Sequence, residues 1–312
     1  MTVLVIGGTG FLGRAIVDTL LKNNKEFSIL TRHPEKLRLF SQNIPYIYGD
    51  LLHCEKLDLT PFSQLINCSG EIHNENLMRK LHVDSVLTLL KKVKDQPEIH
   101  WLQLSSVGVY GRQQEGIILE NTPFSPLGEY EVTKAEGEML VKSFCSEQGI
   151  PYTIIRPSNV FGPGMPNQSL AQLISMIKRN LFFYIGKNKA DIKMNYVHVE
   201  DVARLVCACL DNEKALNQDF IISDQLILTD FIRIISESLG TKTTFPAIPE
   251  SYMRLLAKLK KFIPSFPLSD SRIDALTSRA TYSAEKASEY LHFSPSVGIE
   301  RGLRDYCTSL FK

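Results

Sequence analysis

The segment VLVIGGTGFLG, residues 3–13, places glycines at a regular three-residue interval directly after an apolar β-branched run and at the start of a helical pattern. Gly7, Gly10 and Gly13 are each separated by two residues. One glycine allows a tight turn, the next admits a pyrophosphate to the backbone, and the last lets helix and strand pack closely. The helix N-terminus supplies free N–H groups. The segment therefore predicts a dinucleotide-binding fold, and a glycine-rich turn without a ligand is the alternative.

Outward from this segment, short β-branched runs alternate with helical periodicity over the first 160 residues. EFSILT (26–31) is typical of the strands and HVDSVLTLLKKVK (82–94) of the helices. Because crossover helices must cover both faces of a parallel sheet, the alternation predicts an α/β fold with a doubly wound parallel Rossmann sheet of about seven strands. We predict that this domain spans 1–160 and is completed by about 194–235, and that 161–193 and 236–312 form a smaller, mostly helical substrate-binding lobe.

Composition excludes several classes of protein. The net charge of +1 gives no electrostatic footprint for nucleic acid or an acidic membrane, so neither is an expected partner. The six cysteines are scattered, without a CxxC pair or zinc-type spacing, which predicts no metal site and no disulfide framework. No apolar stretch approaches the roughly 20 residues that span a bilayer. Reduced cysteines suit the cytosol, and we expect a cytoplasmic protein.

The end of the second strand, SILTRHPEK (28–36), bears on the choice of dinucleotide. Thr31 stands where a carboxylate would accept hydrogen bonds from the ribose 2′-hydroxyl, and Arg32 follows it. A hydroxyl and a guanidinium fork suit a 2′-phosphate, so NADP is the preferred cofactor. Arg32 as a solvated loop charge is the alternative, which keeps NAD open. Asp50, with Leu51, ends the third strand and is placed to face the adenine.

Eight motifs in order resemble the extended branch of the short-chain dehydrogenase/reductase superfamily, which includes nucleotide-sugar epimerases, dehydratases and ketoreductases. Each motif is weak alone, but their order over nearly the full chain is specific. The motifs are GGTGFLG (7–13), GDL (49–51), NCSG (67–70), LSSVGVYG (104–111), YEVTK (130–134), RPSNVFGPG (156–164), YVHVEDVA (196–203) and YSAEKASEYLHFSP (282–295).

Tyr130 and Lys134 are four residues apart on a predicted helix, so their side chains should share one face. The resemblance implies that they are catalytic together with Ser106. A lysine cation near the phenol would favour the phenolate, and we expect it to lower the pKa of Tyr130. Tyr282 and Lys286 have the same spacing but follow the last strand, and we interpret them as coincidental.

The motifs and the resemblance together give a cofactor-binding set. Lys134 would also hold the nicotinamide ribose, and Pro157 would lie near the nicotinamide carboxamide. For Cys68, Ser69 and Gly70, ordinary packing at a strand end is the alternative. The set is Gly7, Thr9, Gly10, Phe11, Leu12, Gly13, Thr31, Arg32, Asp50, Leu51, Cys68, Ser69, Gly70, Tyr130, Lys134 and Pro157.

On the substrate side, the resemblance implies contacts from Ser106 and Asn159. Relatives that dehydrate a sugar carry an Asp-Glu pair after the catalytic hydroxyl residue, where this chain has Val107 and Gly108. The resemblance therefore implies an epimerase or a ketoreductase that acts by hydride transfer, with C4 of a nucleotide-activated sugar as the expected position.

Two departures from the family pattern bear on the substrate. Met194 and Asn195 stand where many sugar-nucleotide epimerases have an Arg-Asp pair whose arginine touches the diphosphate, and His82 replaces a frequent asparagine. A diphosphate would need another cation, and for each candidate a surface charge is the favoured interpretation over a ligand contact. The candidates are Lys193, Arg272 and Arg279.

Two further functions stay open. One is an NADP-dependent reductase of a non-sugar carbonyl, of the dihydroflavonol or hydroxysteroid kind. The other is a non-catalytic NAD(P)-binding protein, against which the intact Ser106, Tyr130 and Lys134 argue. Extended-branch relatives often dimerise through the helix that carries YEVTK and its neighbour, so a homodimer is expected by analogy.

Overall fold

The computed structural model describes residues 2–186, 189–257 and 270–311. The strands in these ranges are β1 (Val3–Ile6), β2 (Phe27–Thr31), β3 (Tyr46–Tyr48), β4 (Gln64–Asn67), β5 (His100–Leu104), β6 (Ile117–Ile118), β7 (Tyr152–Pro157), β8 (Asn159–Phe161), β9 (Tyr184–Ile185), β10 (Lys193–His198), β11 (Gln218–Ile222), β12 (Asp224–Ile227), β13 (Ala247–Ile248) and β14 (Thr281–Tyr282). The α-helices are α1 (Phe11–Lys22), α2 (Glu75–Arg79), α3 (Ser85–Val93), α4 (Glu129–Gln148), α5 (Ser169–Lys178), α6 (Val199–Cys209), α7 (Leu228–Leu239), α8 (Glu250–Ala257), α9 (Asp270–Ala275), α10 (Glu285–Leu291) and α11 (Gly298–Ser309).

The main sheet has seven strands in the order β11-β7-β5-β4-β1-β2-β3. Every neighbouring pair is parallel, which confirms the predicted doubly wound Rossmann sheet. The chain starts at β1, moves outward through β2 and β3, and then crosses to β4 on the other side. This reversal creates the switch point at which open α/β sheets bind ligands, beyond the carboxyl ends of β1 and β4.

Both faces of the sheet are buried, which explains why its strands read as continuous apolar runs rather than alternating ones. One face packs on α1 and α6, where Ile16, Val17 and Val206 belong to a core of fully buried side chains. The other face packs on α3 and α4, whose core includes Leu89 and Val141. The two helical layers therefore fix the carboxyl edge of the sheet from both sides.

A second group of elements lies beyond the carboxyl edge. β10 pairs antiparallel with β12 and parallel with β8, and α5, α7 and α11 contribute to its separate apolar core. The stretch 194–235 is divided between two apolar cores. Strand β11 is part of the main sheet and helix α6 packs on that sheet, whereas most of β10, β12 and α7 contributes to the second core beyond the carboxyl edge. Within the described ranges, no helix is both long and apolar enough to cross a membrane.

Helix α4 is the element that carries both predicted catalytic residues of YEVTK. Its N-terminus is closed by Glu131, whose carboxylate accepts hydrogen bonds from the backbone N–H groups of Leu127 (2.8 Å) and Gly128 (3.1 Å). Its C-terminus ends at Gly149, which adopts the left-handed conformation with φ of 69° that closes many helices. Both ends are thus defined locally, and Tyr130 falls in the first turn.

Candidate active site

The glycine turn between β1 and α1 is a close-packed backbone cradle. Gly7 has φ of +83°, and a Cβ there would lie 2.8 Å from the Ser69 nitrogen. A Cβ on Gly13 would lie 2.1 Å from the Gly7 carbonyl oxygen, so no larger residue fits. Gly10 is the N-cap of α1 and brings no side-chain cap, and the first turn contains no acidic residue. The positive end of α1 is therefore open to an anionic ligand.

The apolar residues of this turn point away from the cradle. Phe11 packs against the core beyond the carboxyl edge, and Leu12 packs against the α1 and α6 core. Thr9 is half-buried in the turn. Phe11 and Leu12 can therefore serve a dinucleotide phosphate through their backbone N–H groups rather than their side chains.

The loop after β4 forms the wall opposite Gly7, and its side chains are occupied by the protein. The Cys68 thiol donates to the Ile6 carbonyl oxygen at 3.0 Å, and burial raises its pKa to about 12, so it stays protonated. The Ser69 hydroxyl donates to Asn67 Oδ1 at 2.6 Å. A Cβ on Gly70 would lie 3.5 Å from Lys134 Nζ, which places the loop backbone beside the ammonium.

Lys134 is buried, with its side chain directed at the sheet edge. Its Nζ donates to the carbonyl oxygens of Leu104 (3.1 Å) and Ser69 (3.4 Å), at the ends of two neighbouring strands. Across the described residues, no carboxylate lies within ion-pair distance of this ammonium. Burial lowers the pKa of Lys134 to about 8 because the desolvated cation is compensated by carbonyl dipoles alone.

The Ser106 side chain faces the Tyr130 phenol, and hydrogen bonding to the serine acts to lower the pKa of that phenol. Ser106 Oγ also accepts from the Gly108 N–H at 3.0 Å, which fixes the serine side chain at the end of β5. Burial raises the pKa of Tyr130, the Ser106 hydrogen bond lowers it in part, and the Glu131 carboxylate raises it further. The pKa of Tyr130 is thus raised overall rather than lowered as expected, because desolvation outweighs the contacts that favour the phenolate.

The second Tyr-Lys pair is directed at other neighbours. The Tyr282 ring lies 6.3 Å from the Tyr110 ring, whereas Lys286 Nζ lies over the rings of Phe220 (5.4 Å) and Tyr290 (5.6 Å). The two side chains form no joint site, in agreement with their interpretation as a coincidence of spacing.

At the other end of the cradle, Thr31 and Arg32 are each engaged by the protein. Thr31 is buried, and its Oγ1 accepts from the His33 N–H at 3.0 Å. Arg32 Nη1 contacts Asp50 Oδ2 at 3.0 Å in an ion pair whose arginine side chain is 53% exposed. Asp50 Oδ1 accepts from the Leu52 N–H at 3.0 Å, and Leu51 is buried. Arg32 and Asp50, which the sequence analysis treated as independent contacts of the cofactor, are therefore bonded to each other in the structure.

The predicted substrate side lies where β7 leads into β8. Pro157 is buried opposite Ile222 of β11, and Asn159 is exposed. The Asn159 amide donates to the Asn195 carbonyl oxygen at 3.0 Å, which fixes its orientation.

The three candidate cations for a diphosphate differ in how far the protein already engages them and in whether the structure describes their side chains. Arg279 pairs with Glu115 at 2.8 Å, and Lys193 is half-buried at the start of β10. The side chain of Arg272 lies outside the described residues.

Arg156 is a site-supporting residue that the motif analysis overlooked. It is 1% exposed, and all its N–H groups find acceptors: the Glu138 carboxylate, Asp219, the Tyr110 hydroxyl and the Glu120 carbonyl oxygen. It thereby ties β7 to α4 and to the loop that follows Ser106. A charged residue inside the apolar run PYTIIRPS was the sequence signal, because an arginine in a buried strand requires such partners.

A Rossmann sheet with a Ser-Tyr-Lys group at its carboxyl edge defines the class of short-chain dehydrogenases/reductases. The model of the NAD dependent epimerase/dehydratase family matches residues 3–223. The chain belongs to this family, which confirms the resemblance to the extended branch and places it among enzymes.

Relatives of the chain carry the names of different activities. The chain is 24% identical to the UDP-glucose 4-epimerase of Vibrio cholerae over 97% of this chain and 93% of that protein. It is 28% identical to the 3beta-hydroxysteroid-dehydrogenase/decarboxylase isoform 1 of Arabidopsis thaliana, over 96% and 77%. The UDP-glucuronic acid 4-epimerase of Bacillus cereus, solved with UDP-glucuronic acid and NAD, superposes with a TM-score of 0.77 at 21% identity over the full length of both chains. At that identity the superposition shows a common fold.

The depressed pKa of Lys134 predicts a pH-dependent stability. The free lysine value is 10.5 and the folded value about 8, so the unfolded state binds more protons between these values and stability rises with pH across that window. Lys134→Met should therefore raise the free energy of unfolding by about 2 kcal/mol at pH 7 in the absence of cofactor. The gain should vanish towards pH 10.5. Urea titrations at several pH values measure it, with the exposed Lys22→Met as the control; a gain independent of pH would contradict the assignment.

Proposed function

We propose that this chain transfers a hydride reversibly between a nicotinamide cofactor and C4 of a nucleotide-activated sugar, as a 4-epimerase or a 4-ketoreductase. The observation that carries the proposal is the position of the buried Lys134, one helical turn from Tyr130, with its ammonium bonded to Ser69 and Leu104 beside the glycine cradle. The Ser106 side chain faces the Tyr130 phenol at the same edge. The UDP-sugar epimerases among the relatives support the substrate class.

We assign each group a role in proton transfer. The nicotinamide, when bound, accepts or supplies the hydride. Tyr130 gives the proton to a carbonyl oxygen during reduction and takes it from the hydroxyl during oxidation, while Ser106 bonds the same oxygen. Burial raises the pKa of Tyr130, so a protonated phenol is ready for reduction. In oxidation the transient phenolate needs a nearby cation, which Lys134 supplies.

The residues after Ser106 argue against a dehydratase. The place where dehydratases carry their acid pair holds Val107 and Gly108. A Cβ on Gly108 would lie 3.1 Å from Glu131 Cγ, so the capping side chain of α4 already fills the adjacent space. A carboxylate at position 108 would have to displace the cap.

Tyr130→Phe tests the proton donor directly. Loss of the hydroxyl should reduce turnover of UDP-glucose or UDP-galactose by at least about 100-fold, the size of effect general acid-base groups contribute. Cofactor affinity should stay within a few-fold, because the ring and Lys134 remain. Product analysis by NMR and cofactor titration by fluorescence measure the two quantities. Tyr282→Phe is the matched control and should keep turnover; equal turnover in the two variants would remove Tyr130 from the mechanism.

We infer NADP as the preferred cofactor, although solved relatives were crystallised with NAD. The end of β2 offers no carboxylate for a ribose 2′-hydroxyl, and Arg32 is a half-exposed cation at this place. Its partner Asp50 is held by the Leu52 N–H and can remain in position while the guanidinium turns to a 2′-phosphate. A bidentate guanidinium-phosphate contact outweighs a solvent-screened ion pair.

Arg32→Asp should therefore lower the ratio of NADP to NAD affinity by about tenfold or more, since it replaces a charge-assisted contact with repulsion. Titration of both reduced cofactors by fluorescence gives the ratio. Arg38→Asp makes the same charge change on an exposed residue of the following 3₁₀ turn and should leave the ratio nearly unaltered. If both variants behave alike, Arg32 does not read the 2′-position.

A second candidate function is reduction of a non-sugar carbonyl. Met194, which is buried, and Asn195, whose amide is bound to the Ala280 carbonyl oxygen at 2.8 Å, replace the Arg-Asp pair of sugar-nucleotide epimerases. The hydroxysteroid-dehydrogenase relative also covers nearly the whole chain. A panel of UDP-sugars and hydroxysteroids, assayed for product and for cofactor oxidation, separates the two: turnover of steroids alone would favour this candidate.

We also infer a cytoplasmic homodimer that uses α4 and the adjacent α3. For the dimer, Met139 on α4 is an exposed apolar side chain, 52% accessible. For the cytoplasm, the six cysteines are all free thiols, as a reducing compartment would keep them. Light scattering should give twice the chain mass, with Met139→Lys shifting the protein toward monomer. A monomeric parent protein would exclude the assembly.

A further inference from the structure

His82 lies in a π-helical turn, Lys80–Asp84, between α2 and α3. Such turns are rare and recur at functional sites because they push one residue out of the regular helical pattern. Here the turn presses on α4: a Cβ on Gly137 would lie 2.1 Å from the His82 carbonyl oxygen. The contact places the buried His82 side chain between α4 and the loop that follows β4.

Both ring nitrogens of His82 are engaged. The Glu71 N–H donates to Nε2 at 3.0 Å, so Nε2 carries no hydrogen and Nδ1 carries it. Nδ1 then donates to Thr133 Oγ1 at 2.9 Å, and the Thr133 hydroxyl donates onward to the Glu129 carbonyl oxygen at 2.7 Å. This directional chain runs from the β4 loop into the first turns of α4.

The environment keeps the imidazole neutral. Burial, reinforced by the Lys134 ammonium, lowers the pKa of His82 to about 3. A proton on Nε2 would also face the Glu71 N–H donor, so the neutral tautomer is the one that the contacts accept. The ring further packs edge-on against Tyr130, with centroids 5.6 Å apart.

We propose that His82 is a positioning residue whose imidazole sets the spacing between loop 68–71 and helix α4, and thereby aims the Lys134 ammonium. On the loop side, Ser69 supplies a carbonyl acceptor to Lys134, and a Cβ on Gly70 would lie 3.5 Å from both His82 Nε2 and Lys134 Nζ. On the helix side, the bonded Thr133 directly precedes Lys134. The inference rests on the proposed function only in the catalytic role of Lys134.

The test compares three variants of the full chain with NADPH as the probe ligand and the UDP-sugar turnover assay. His82→Phe keeps the ring and the Tyr130 contact but removes both nitrogens, so the Glu71 N–H and the Thr133 hydroxyl lose their link. We expect cofactor affinity and kcat at saturating cofactor each to fall about tenfold, the effect of one buried polar group left unsatisfied. His82→Gln reaches Glu71 with an acceptor and should restore both quantities to within about threefold of the parent protein.

His100→Phe is the matched control. His100 is likewise buried, has a pKa lowered to about 4 by burial, and bonds Thr153 at 2.8 Å, but it lies at the opposite end of β5. It should lower the melting temperature as His82→Phe does while affinity and kcat stay within about twofold, since it loses a comparable buried hydrogen bond. Equal kcat and affinity in the two Phe variants, or no recovery in His82→Gln, would overturn the inference. A parent protein that binds NADPH without turnover leaves the affinity comparison decisive and rejects only the proposed reaction.

Discussion

The candidate site is organised around a buried ammonium group that, among the described residues, has carbonyl dipoles but no counter-anion. Lys134 is held by the Leu104 and Ser69 carbonyl oxygens at the ends of two parallel strands. Placing a cation there carries a desolvation cost, which appears as the lowered pKa of its ammonium. The cost is tolerated because the ammonium can stabilise negative charge that develops nearby, and a carboxylate partner would cancel that capacity.

Such a cation is useful only if its surroundings cannot relax around it, and the rest of the fold supplies the rigidity. Arg156 joins β7, α4 and the loop after Ser106 through a fully bonded guanidinium. Glu131 closes the N-terminus of α4 beside Gly108, so the helix start and the serine loop are fixed together. Burying Arg156 and Glu138 as a bonded pair favours one arrangement of these segments more than it adds stability.

Local signals in the sequence were sufficient for the sheet and for the glycine turn, because periodicity and glycine spacing report on neighbouring residues. The Ser106, Tyr130 and Lys134 group came from the resemblance to a family and stays a prediction. Local signals failed for the pKa of Tyr130, since the sign depends on burial, which is tertiary. The pairing of Arg32 with Asp50 and the bonding of His82 to Glu71 and Thr133 join segments 11 to 51 residues apart, which no short pattern encodes.

The two ends of the proposed cofactor site differ in the partners of their cations: Arg32 has a carboxylate, whereas Lys134 has backbone carbonyl oxygens. In the proposed function this difference separates overall cofactor affinity from selectivity between NAD and NADP. Arg32 is exposed and already paired with Asp50, so a ligand gains there only the difference between two screened contacts. Lys134 is buried with no anion beside it among the described residues, so in the proposed function its interactions with the nicotinamide half would be made in a low-dielectric setting and would be common to NAD and NADP. In the proposed function, most of the electrostatic strength of the site therefore lies at the reacting end, and discrimination of the 2′-position would rest on a weaker, salt-sensitive exchange of partners at the surface.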